Sequence, residues 1–448
     1  QSRRRVAEHS FRARARVRAK AAMPRPLFVA ATRQHVGKTT VSLALMAGLQ
    51  KRFNKVGYIK PVGQQHVEVI GSDGAAVRVD KDVELVKEYF KLDHVSWPDM
   101  SPVLMPRSYT KRYIDGEIQL ESQVEAILGA QQRVSAASDV LLLEGTGHVG
   151  VGSVVEMNNA KVASLMGADV VLVANGGIGS SFDELEMNHS MVLAAGARVR
   201  GVVLNKVIPD KVEMVREYFG KLLSQRWGGS VALLGVVPDL PFLGKSTLAD
   251  IERLLHGKLL GGHHLMNAHY DVREVDLVTT GVRRFLRKAD YRSTIAKRPL
   301  FVTHATRDDI VLAYLSMYKR KTSDISKQPA DSDSHGASEM LADSAGAPAG
   351  NEQWQRQWPS LPWAGAMILC SGTAEGVDED EQRPLPFLME MVRAHDAPVM
   401  LVEGGTRNIN DRIHSYTAKM HIKDPTRVAA AIEHYEPHID FDKLLNTM

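Results

Sequence analysis

Six short, wholly apolar runs separated by longer helical stretches constrain this chain more than any other feature. They are Leu27-Phe28-Val29-Ala30, Val56-Gly57-Tyr58-Ile59, Val140-Leu141-Leu142-Leu143, Val170-Val171-Leu172-Val173, Val202-Val203-Leu204 and Val231-Ala232-Leu233-Leu234. A strand with one face in water alternates apolar and polar residues, whereas a strand covered on both faces does not. Helices between such strands make right-handed crossovers, so the expected fold is α/β with a parallel sheet flanked by helices. Sheets of this kind bind ligands beyond the carboxyl ends of their strands. The six runs are succeeded, in order, by a loop ending in Gly37-Lys38-Thr39, by Lys60-Pro61-Val62-Gly63, by Glu144-Gly145-Thr146-Gly147, by Asn175-Gly176-Gly177, by Asn205-Lys206 and by Pro238-Asp239. Polar and glycine residues at six successive strand ends describe one site.

The first of these loops, Thr32-Arg33-Gln34-His35-Val36-Gly37-Lys38-Thr39, carries the most specific chemistry. Phosphate binding needs consecutive backbone N–H groups aimed at one point, a mobile cation, and a hydroxyl for Mg²⁺. A Gly-Lys-Thr turn between a strand and a helix supplies all three, so the fold expected is that of a P-loop NTPase. Lys38 would neutralise phosphate oxygens and Thr39 would ligate Mg²⁺. Thr32, His35, Val36, Gly37 and Thr40 complete the expected nucleotide-binding set. The match to G-x-x-x-x-G-K-[ST] is incomplete: Thr32 stands in the first glycine slot, or Ala31 does in loops one residue longer. If that slot needs a positive φ, alanine there costs about 1 kcal/mol. The helix after the loop is expected to turn Val41, Leu45, Met46 and Leu49 inward.

Beyond about residue 245 the spacing changes. Apolar runs at Leu300-Phe301-Val302, Ala366-Met367-Ile368-Leu369 and Pro398-Val399-Met400-Leu401-Val402 predict a second, smaller α/β domain. The expected boundaries are 26–245 for the first domain and 246–448 for the second. An insert at 322–362 is too rich in Ser, Asp, Ala, Gly, Gln and Pro to bury apolar surface. Residues 1–25 hold eight Arg and one Lys against one Glu. Removing that net +8 from the whole-chain +4 leaves the rest at about −4, which gives no sign of a nucleic-acid partner. Arg- and Ala-rich, nearly acid-free and without an apolar core, this segment reads as an organelle transit peptide, chloroplast ahead of mitochondrion. The plainer alternative is a basic tail binding anions without specificity. Cys370 is the only cysteine, so neither an internal disulfide nor a cysteine-built zinc site is available. No apolar run reaches 18 residues, so no membrane span is expected.

Taken together, Val36-Gly37-Lys38-Thr39-Thr40, Tyr58-Ile59-Lys60-Pro61-Val62-Gly63 and Leu143-Glu144-Gly145-Thr146-Gly147 resemble dethiobiotin synthetase and its P-loop relatives over roughly residues 26–245. The nearer likeness is to proteins that join such a domain to a DRTGG domain, a pair that also forms the amino-terminal part of long-form phosphate acetyltransferases. Candidate signatures of the second part are Ala305-Thr306-Arg307-Asp308-Asp309-Ile310, Leu369-Cys370-Ser371-Gly372 and Leu401-Val402-Glu403-Gly404-Gly405 with Arg412-Ile413-His414. The resemblance implies ATP and Mg²⁺ as cofactors. It implies that Lys60, with Lys38, contacts the transferred phosphate or a substrate carboxylate, and that Asn205 reads the adenine edge. Glu144 would hold Mg²⁺, with Asp80 or Asp82, Asp82 preferred, as the second acidic ligand. It also allows a homodimer. His148 departs from the small residue of dethiobiotin synthetases. The DRTGG letters are thinly kept, with Thr306, Cys370 and Ser371 in altered places while Arg307 and Gly372 persist. No acetyltransferase part is expected to follow Met448.

Each candidate also has a plainer structural reading. Asp80 and Asp82 could simply cap the helix expected at 83–90. His148 could be a satisfied loop histidine, and His263-His264 a surface pair. Cys370 lacks the glycine elbow of an amidotransferase nucleophile. Two functions compete. One is a regulatory module that binds nucleotide while the DRTGG-like part reads a ligand or protein partner. The other is an ATP-dependent carboxylase or ligase acting on a small carboxylate. The regulatory reading is preferred, with ATP hydrolase or ligase-type turnover as its enzymatic aspect.

Overall fold

A computed structural model of the protein describes residues 25–71, 74–292, 298–325, 365–372 and 383–445. Almost all of the expected transit peptide therefore lies outside the described residues, as does most of the expected insert. The chain divides into two compact units. One takes the residues up to Asp239 together with those from Met420 onward, and the other is Leu240–Lys419.

The first unit is built on β1 (Leu27–Ala31), α1 (Lys38–Gln50), β2 (Val56–Ile59), β3 (His66–Ile70), β4 (Ala76–Asp80), α2 (Lys81–Phe90), α3 (Leu120–Ala137), β5 (Val140–His148), β6 (Asp169–Asn175), α4 (Gly179–Ala194), β7 (Arg198–Val207), α5 (Val212–Trp227) and β8 (Ala232–Pro238). Six strands form one sheet in the order β8-β7-β6-β1-β5-β2. Every neighbouring pair in it is parallel. All six apolar runs became these strands. Leu27, Val29, Leu142, Val171 and Val203 are each 0% exposed, as expected of strands covered on both faces. The parallel register places the strand ends side by side: Val29 lies opposite Glu144, and Asn175 opposite Asn205. The β3/β4 hairpin stands apart from this sheet, its exposed and half-buried residues alternating along β3.

The second unit contains α6 (Leu248–Leu255), β9 (Lys258–Gly261), β10 (Val275–Leu277), α7 (Val282–Arg292), β11 (Leu300–His304), α8 (Asp308–Ile325), β12 (Ala366–Ser371), α9 (Pro386–Ala394), β13 (Val399–Glu403) and α10 (Thr406–His414). Its sheet runs β9-β13-β12-β11-β10, with β9 antiparallel to β13 and the other pairs parallel. The period of two along the strands feeds two cores. Leu300, Val302, Ile368 and Met400 join Leu248, Ile251 and Tyr270. Phe301, Met367, Leu369 and Val399 join Ile310 and Tyr314 on the other face. Helix α8 runs through Ile325, so the expected start of the insert at Thr322 falls inside a helix.

The domain boundary expected at 245 needs correction. The chain leaves the first unit after Asp239, and it returns to it at Met420. The returning helix α11 (Pro425–Tyr435) packs on α1, burying Val428, Ala431 and Tyr435. Phe441 comes next, with 4% of its surface exposed, and the Arg52 guanidinium lies 4.3 Å from its ring centroid. Gly48 makes this seat: a Cβ there would stand 1.9 Å from the Phe441 ring. Burial on α1 is consequently wider than one face. Val41, Leu45, Met46 and Leu49 are buried as expected, but so are Thr40, Ser42, Leu43, Ala44 and Gly48. Among the described residues no helix is long and apolar enough to cross a membrane.

Emptying the seat should cost what removal of a buried aromatic ring usually costs, about 3–5 kcal/mol. Phe441→Ala is expected to lower the urea midpoint of the first unit while leaving the second unit's transition in place. The two transitions can be followed separately by near-UV circular dichroism and by hydrogen exchange.

Candidate functional site

The loop between β1 and α1 contains two left-handed residues and is held in shape by its neighbours. His35 has φ +62° and Gly37 φ +93°. Ala31 and Thr32 are not in the left-handed region, so the penalty expected for a missing first glycine does not arise. Gly37 is required twice over, since a Cβ would also lie 2.2 Å from Asn205 Nδ2. Helix α1 begins at Lys38 without a side-chain cap and without an acidic residue in its first turn. Its free N–H groups and dipole therefore favour an anion at the loop.

Glu144 lies next to the loop and is completely buried. Its Oε1 accepts from Thr39 Oγ1 at 2.9 Å and its Oε2 from the Tyr58 hydroxyl at 3.0 Å. Lys38 Nζ and Lys60 Nζ each lie 3.9 Å from Oε1. Burial lowers the Lys38 pKa, an effect that Glu144 opposes. Lys60 is 5% exposed and pairs with Asp82 as well as with Asp80 at 3.1 Å. Burial works against its charge, but Asp82, Asp80 and Glu144 outweigh that and hold the pKa above the ordinary lysine value. For Asp82, burial pushes the pKa up while Lys60 pulls it down further, and the net shift is downward. Burial and then Glu144 raise the Tyr58 pKa.

Of the two readings of the aspartates, the structure meets the capping one, at Asp80. Asp80 is the N-cap of α2, accepting from Asp82 N at 3.0 Å. Its other oxygen accepts from Gln64 N at 3.1 Å and Gln65 N at 3.3 Å. The helix accordingly starts at Lys81, two residues before the expected 83. Asp82 turns toward Lys60. The structure thus brings Lys38, Thr39, Lys60, Asp82 and Glu144 together. It places the Lys60 ammonium among the acids, in contact with Asp82 and within 3.9 Å of Glu144. Among the described residues no group of three His, Cys, Asp or Glu side chains is arranged to hold a metal.

Other expected members support the loop from behind. Asn205 is 0% exposed, and its Nδ2 donates to Val36 O at 2.7 Å. Its Oδ1 accepts from Lys206 N at 2.7 Å. The amide is engaged by the loop in this structure, whereas the resemblance implies that it contacts an adenine edge. Thr32 is anchored likewise: its hydroxyl donates to Glu184 Oε2 at 3.0 Å, and its carbonyl accepts from Asn188 Nδ2 at 3.2 Å. Thr40 is buried on α1 and Val36 under the loop, while His35 is exposed. The His35 carbonyl accepts from Lys206 Nζ at 2.7 Å. His148 is the exposed last residue of β5, not a loop residue, and its Nδ1 accepts from Gly150 N at 3.2 Å. His264 pairs with Asp396 at an exposed position. Cys370 is buried, and burial pushes its thiol up to about 12, which removes it as a nucleophile.

Sequence reasoning missed Glu184 and Asn188, and it gave no role to Tyr58 and Lys206, which stood in its motifs and strand ends. Tyr58 was the accessible one. It stands two residues before Lys60, and the period of two in extended chain places both on one side.

Known proteins share features with this chain. A AAA domain family matches residues 25–247. Over 433 residues the chain is 25% identical to a phosphate acetyltransferase of Pseudomonas aeruginosa, covering 93% of this chain and 51% of that protein. Over 431 residues it is 21% identical to a phosphate acetyltransferase of Synechocystis, covering 95% and 52%. The chain spans about half the length of these relatives. Among solved structures, a plasmid partition protein from Borrelia burgdorferi bound to AMPPNP aligns with 48% of this chain and 87% of its own at 10% identity, with a TM-score of 0.31. The MinD cell division protein of Aquifex aeolicus aligns with 49% and 84% at 15% identity, with a TM-score of 0.29.

The Lys60 cluster is testable through linkage. Asp82 is depressed below its ordinary 3.8, so the stability it contributes is present above that pH and is lost as pH falls through the lower folded value. Lys60 is raised above its ordinary 10.5, so its contribution is present below that pH and is lost only as pH rises through the higher folded value. The pair therefore works across the neutral range. Lys60→Met leaves buried carboxylates uncompensated and should cost about 3–5 kcal/mol at pH 7. That deficit should shrink at pH 5, where the orphaned acids can take up protons. Urea unfolding at both pH values measures it, and an unchanged deficit would count against the cluster.

Residues 25–247 match a AAA domain family and are dethiobiotin synthetase-like in their P-loop motifs, and the chain is similar over most of its length to phosphate acetyltransferases.

Proposed function

We propose that this chain is a Mg-ATP-binding P-loop protein whose second unit gives it a regulatory role. The observation that carries the reading is the contact of Thr39 Oγ1 with the buried Glu144 at 2.9 Å, beside Lys38 and an uncapped helix N-terminus. Thr39 and Glu144 present two adjacent hard oxygens, a donor pair that suits Mg²⁺ completed by water and phosphate. Asp82 would join them only on exchanging its Lys60 partner. When bound, Mg²⁺ would neutralise phosphate charge. Lys38 would neutralise β/γ oxygens, and the first N–H groups of α1 would orient them.

The state of Lys60 favours regulation over rapid turnover. A lysine that is to meet an incoming substrate carboxylate must give up partners, and Lys60 is held by both Asp80 and Asp82. In the second unit, Arg307 and Gly372 are what persists of a DRTGG pattern. Arg307 donates to Asp309 at 2.8 Å and 2.9 Å and to Thr280 O at 3.1 Å. We assign this unit the reading of a ligand or protein partner, in keeping with the phosphate acetyltransferase likeness.

The second reading is an ATP-dependent carboxylase or ligase of the dethiobiotin synthetase type. It draws on the placing of Lys38 and Lys60 on one oxygen of Glu144, where two cations could serve phosphoryl transfer.

ADP release from Mg-ATP by residues 24–448, with Lys38→Ala as control, separates the two. The proposal expects Mg-ATP binding that weakens at least about tenfold in Lys38→Ala, through loss of a charge-assisted contact, and turnover that a pool of small carboxylates and diamines leaves unchanged. Lys38-dependent turnover raised by one of those compounds would establish the ligase instead.

A further inference from the structure

The two oxygens of Glu144 keep different company. Oε1 accepts from Thr39 Oγ1 at 2.9 Å, and the Lys38 and Lys60 ammonium groups each lie 3.9 Å from it. Oε2 is taken by the Tyr58 hydroxyl, which donates to it at 3.0 Å. Glu144 and Tyr58 are both 0% exposed. Burial and then Glu144 raise the Tyr58 pKa, so the hydroxyl keeps its proton and remains a donor. The contact is set by the sheet. Tyr58 of β2 lies opposite Leu142 of β5, and the period of two puts Glu144 on the same face as Leu142. A buried hydroxyl bonded to a carboxylate resists removal, because either group would be left unsatisfied out of water.

This division matters for a cation bound at Oε1. Mg²⁺ holds oxygens at about 2.0–2.1 Å in near-ideal octahedral geometry, so neighbouring ligands stand about 2.8–3.0 Å apart. Ca²⁺ holds six to eight oxygens at about 2.3–2.6 Å, which spreads ligands at right angles to about 3.3–3.7 Å, and it often takes both oxygens of one carboxylate. The Thr39 and Glu144 oxygens, 2.9 Å apart, match the smaller ion. With Oε2 engaged by Tyr58, Glu144 offers a cation one oxygen. That deprives Ca²⁺ of a ligand and Mg²⁺ of none.

We propose that Tyr58 is a specificity-determining residue, which restricts Glu144 to a single metal-facing oxygen and so favours Mg²⁺ over Ca²⁺ beside a bound nucleotide. The inference rests on the proposed Mg-ATP binding. Calorimetric titration of the full chain with ATP alone, with ATP and Mg²⁺, and with ATP and Ca²⁺ tests it in the parent and in Tyr58→Phe, which keeps the buried ring and removes the hydroxyl. In the parent, Mg²⁺ should strengthen ATP binding at least about tenfold more than Ca²⁺ does. In Tyr58→Phe that preference should shrink about five- to tenfold, chiefly through tighter binding with Ca²⁺, while metal-free ATP affinity holds. An unchanged preference in a folded Tyr58→Phe would overturn the inference, as would an equal loss of affinity with all three ligands, the mark of a merely structural role. Equal strengthening by the two ions in the parent would overturn it without any variant. No ATP binding by the parent would instead remove the nucleotide reading, and the inference with it.

Discussion

A single buried carboxylate organises the first unit's strand ends. Glu144 has no access to water, and an isolated charge there would cost several kcal/mol. It is stabilised by bonds from Thr39 and Tyr58 and by the two ammonium groups of Lys38 and Lys60. Those partners come from α1, from β2 and from the loop after β2, so satisfying one charge fixes the mutual position of three segments. Lys60 carries the arrangement outward to Asp82 and to Asp80, which in turn caps α2 and binds the backbone at Gln64 and Gln65. Burial and charge pairing thus hold the structure together in the same place where the proposed function puts chemistry.

The loop itself depends on its neighbours in the same way. It lacks the first glycine of the usual pattern and instead puts its left-handed residues at His35 and Gly37. A loop with two such residues needs fixing from outside. The carbonyls of Val36 and His35 are taken by Asn205 and Lys206, and Thr32 is taken by Glu184 and Asn188. Polar residues at neighbouring strand ends therefore serve first as a frame for the loop, and only through it as a frame for a ligand.

Much of this was legible in the sequence because burial on both faces leaves a plain mark. Six unbroken apolar runs became six parallel strands, and three more became β11, β12 and β13. In a parallel sheet the residues just past each run must gather at one edge, which is how Lys60, Glu144 and Asn205 could be named from the sequence. Two kinds of fact were not legible. Roles depend on which way a side chain turns, and Asn205 turns into the loop. Long-range returns leave no local signal: nothing near Gly48 reveals that Phe441 will sit on it. The edge strands β9 and β10 are too short to stand out by periodicity. The antiparallel hairpin of β3 and β4 is half-exposed and lacks the unbroken apolar run by which the other strands were found.

The central claim is that Thr39 and Glu144, set beside Lys38, form the seat of a metal-bound nucleotide. Calorimetric titration of ATP into the parent chain and into Glu144→Gln, with and without Mg²⁺, tests it most directly. The substitution keeps the volume and an acceptor toward Thr39 and removes only the charge. The account predicts Mg²⁺-strengthened binding in the parent and loss of that Mg²⁺ dependence in Glu144→Gln. Binding equally strengthened by Mg²⁺ in both, or no binding by the parent, would contradict it.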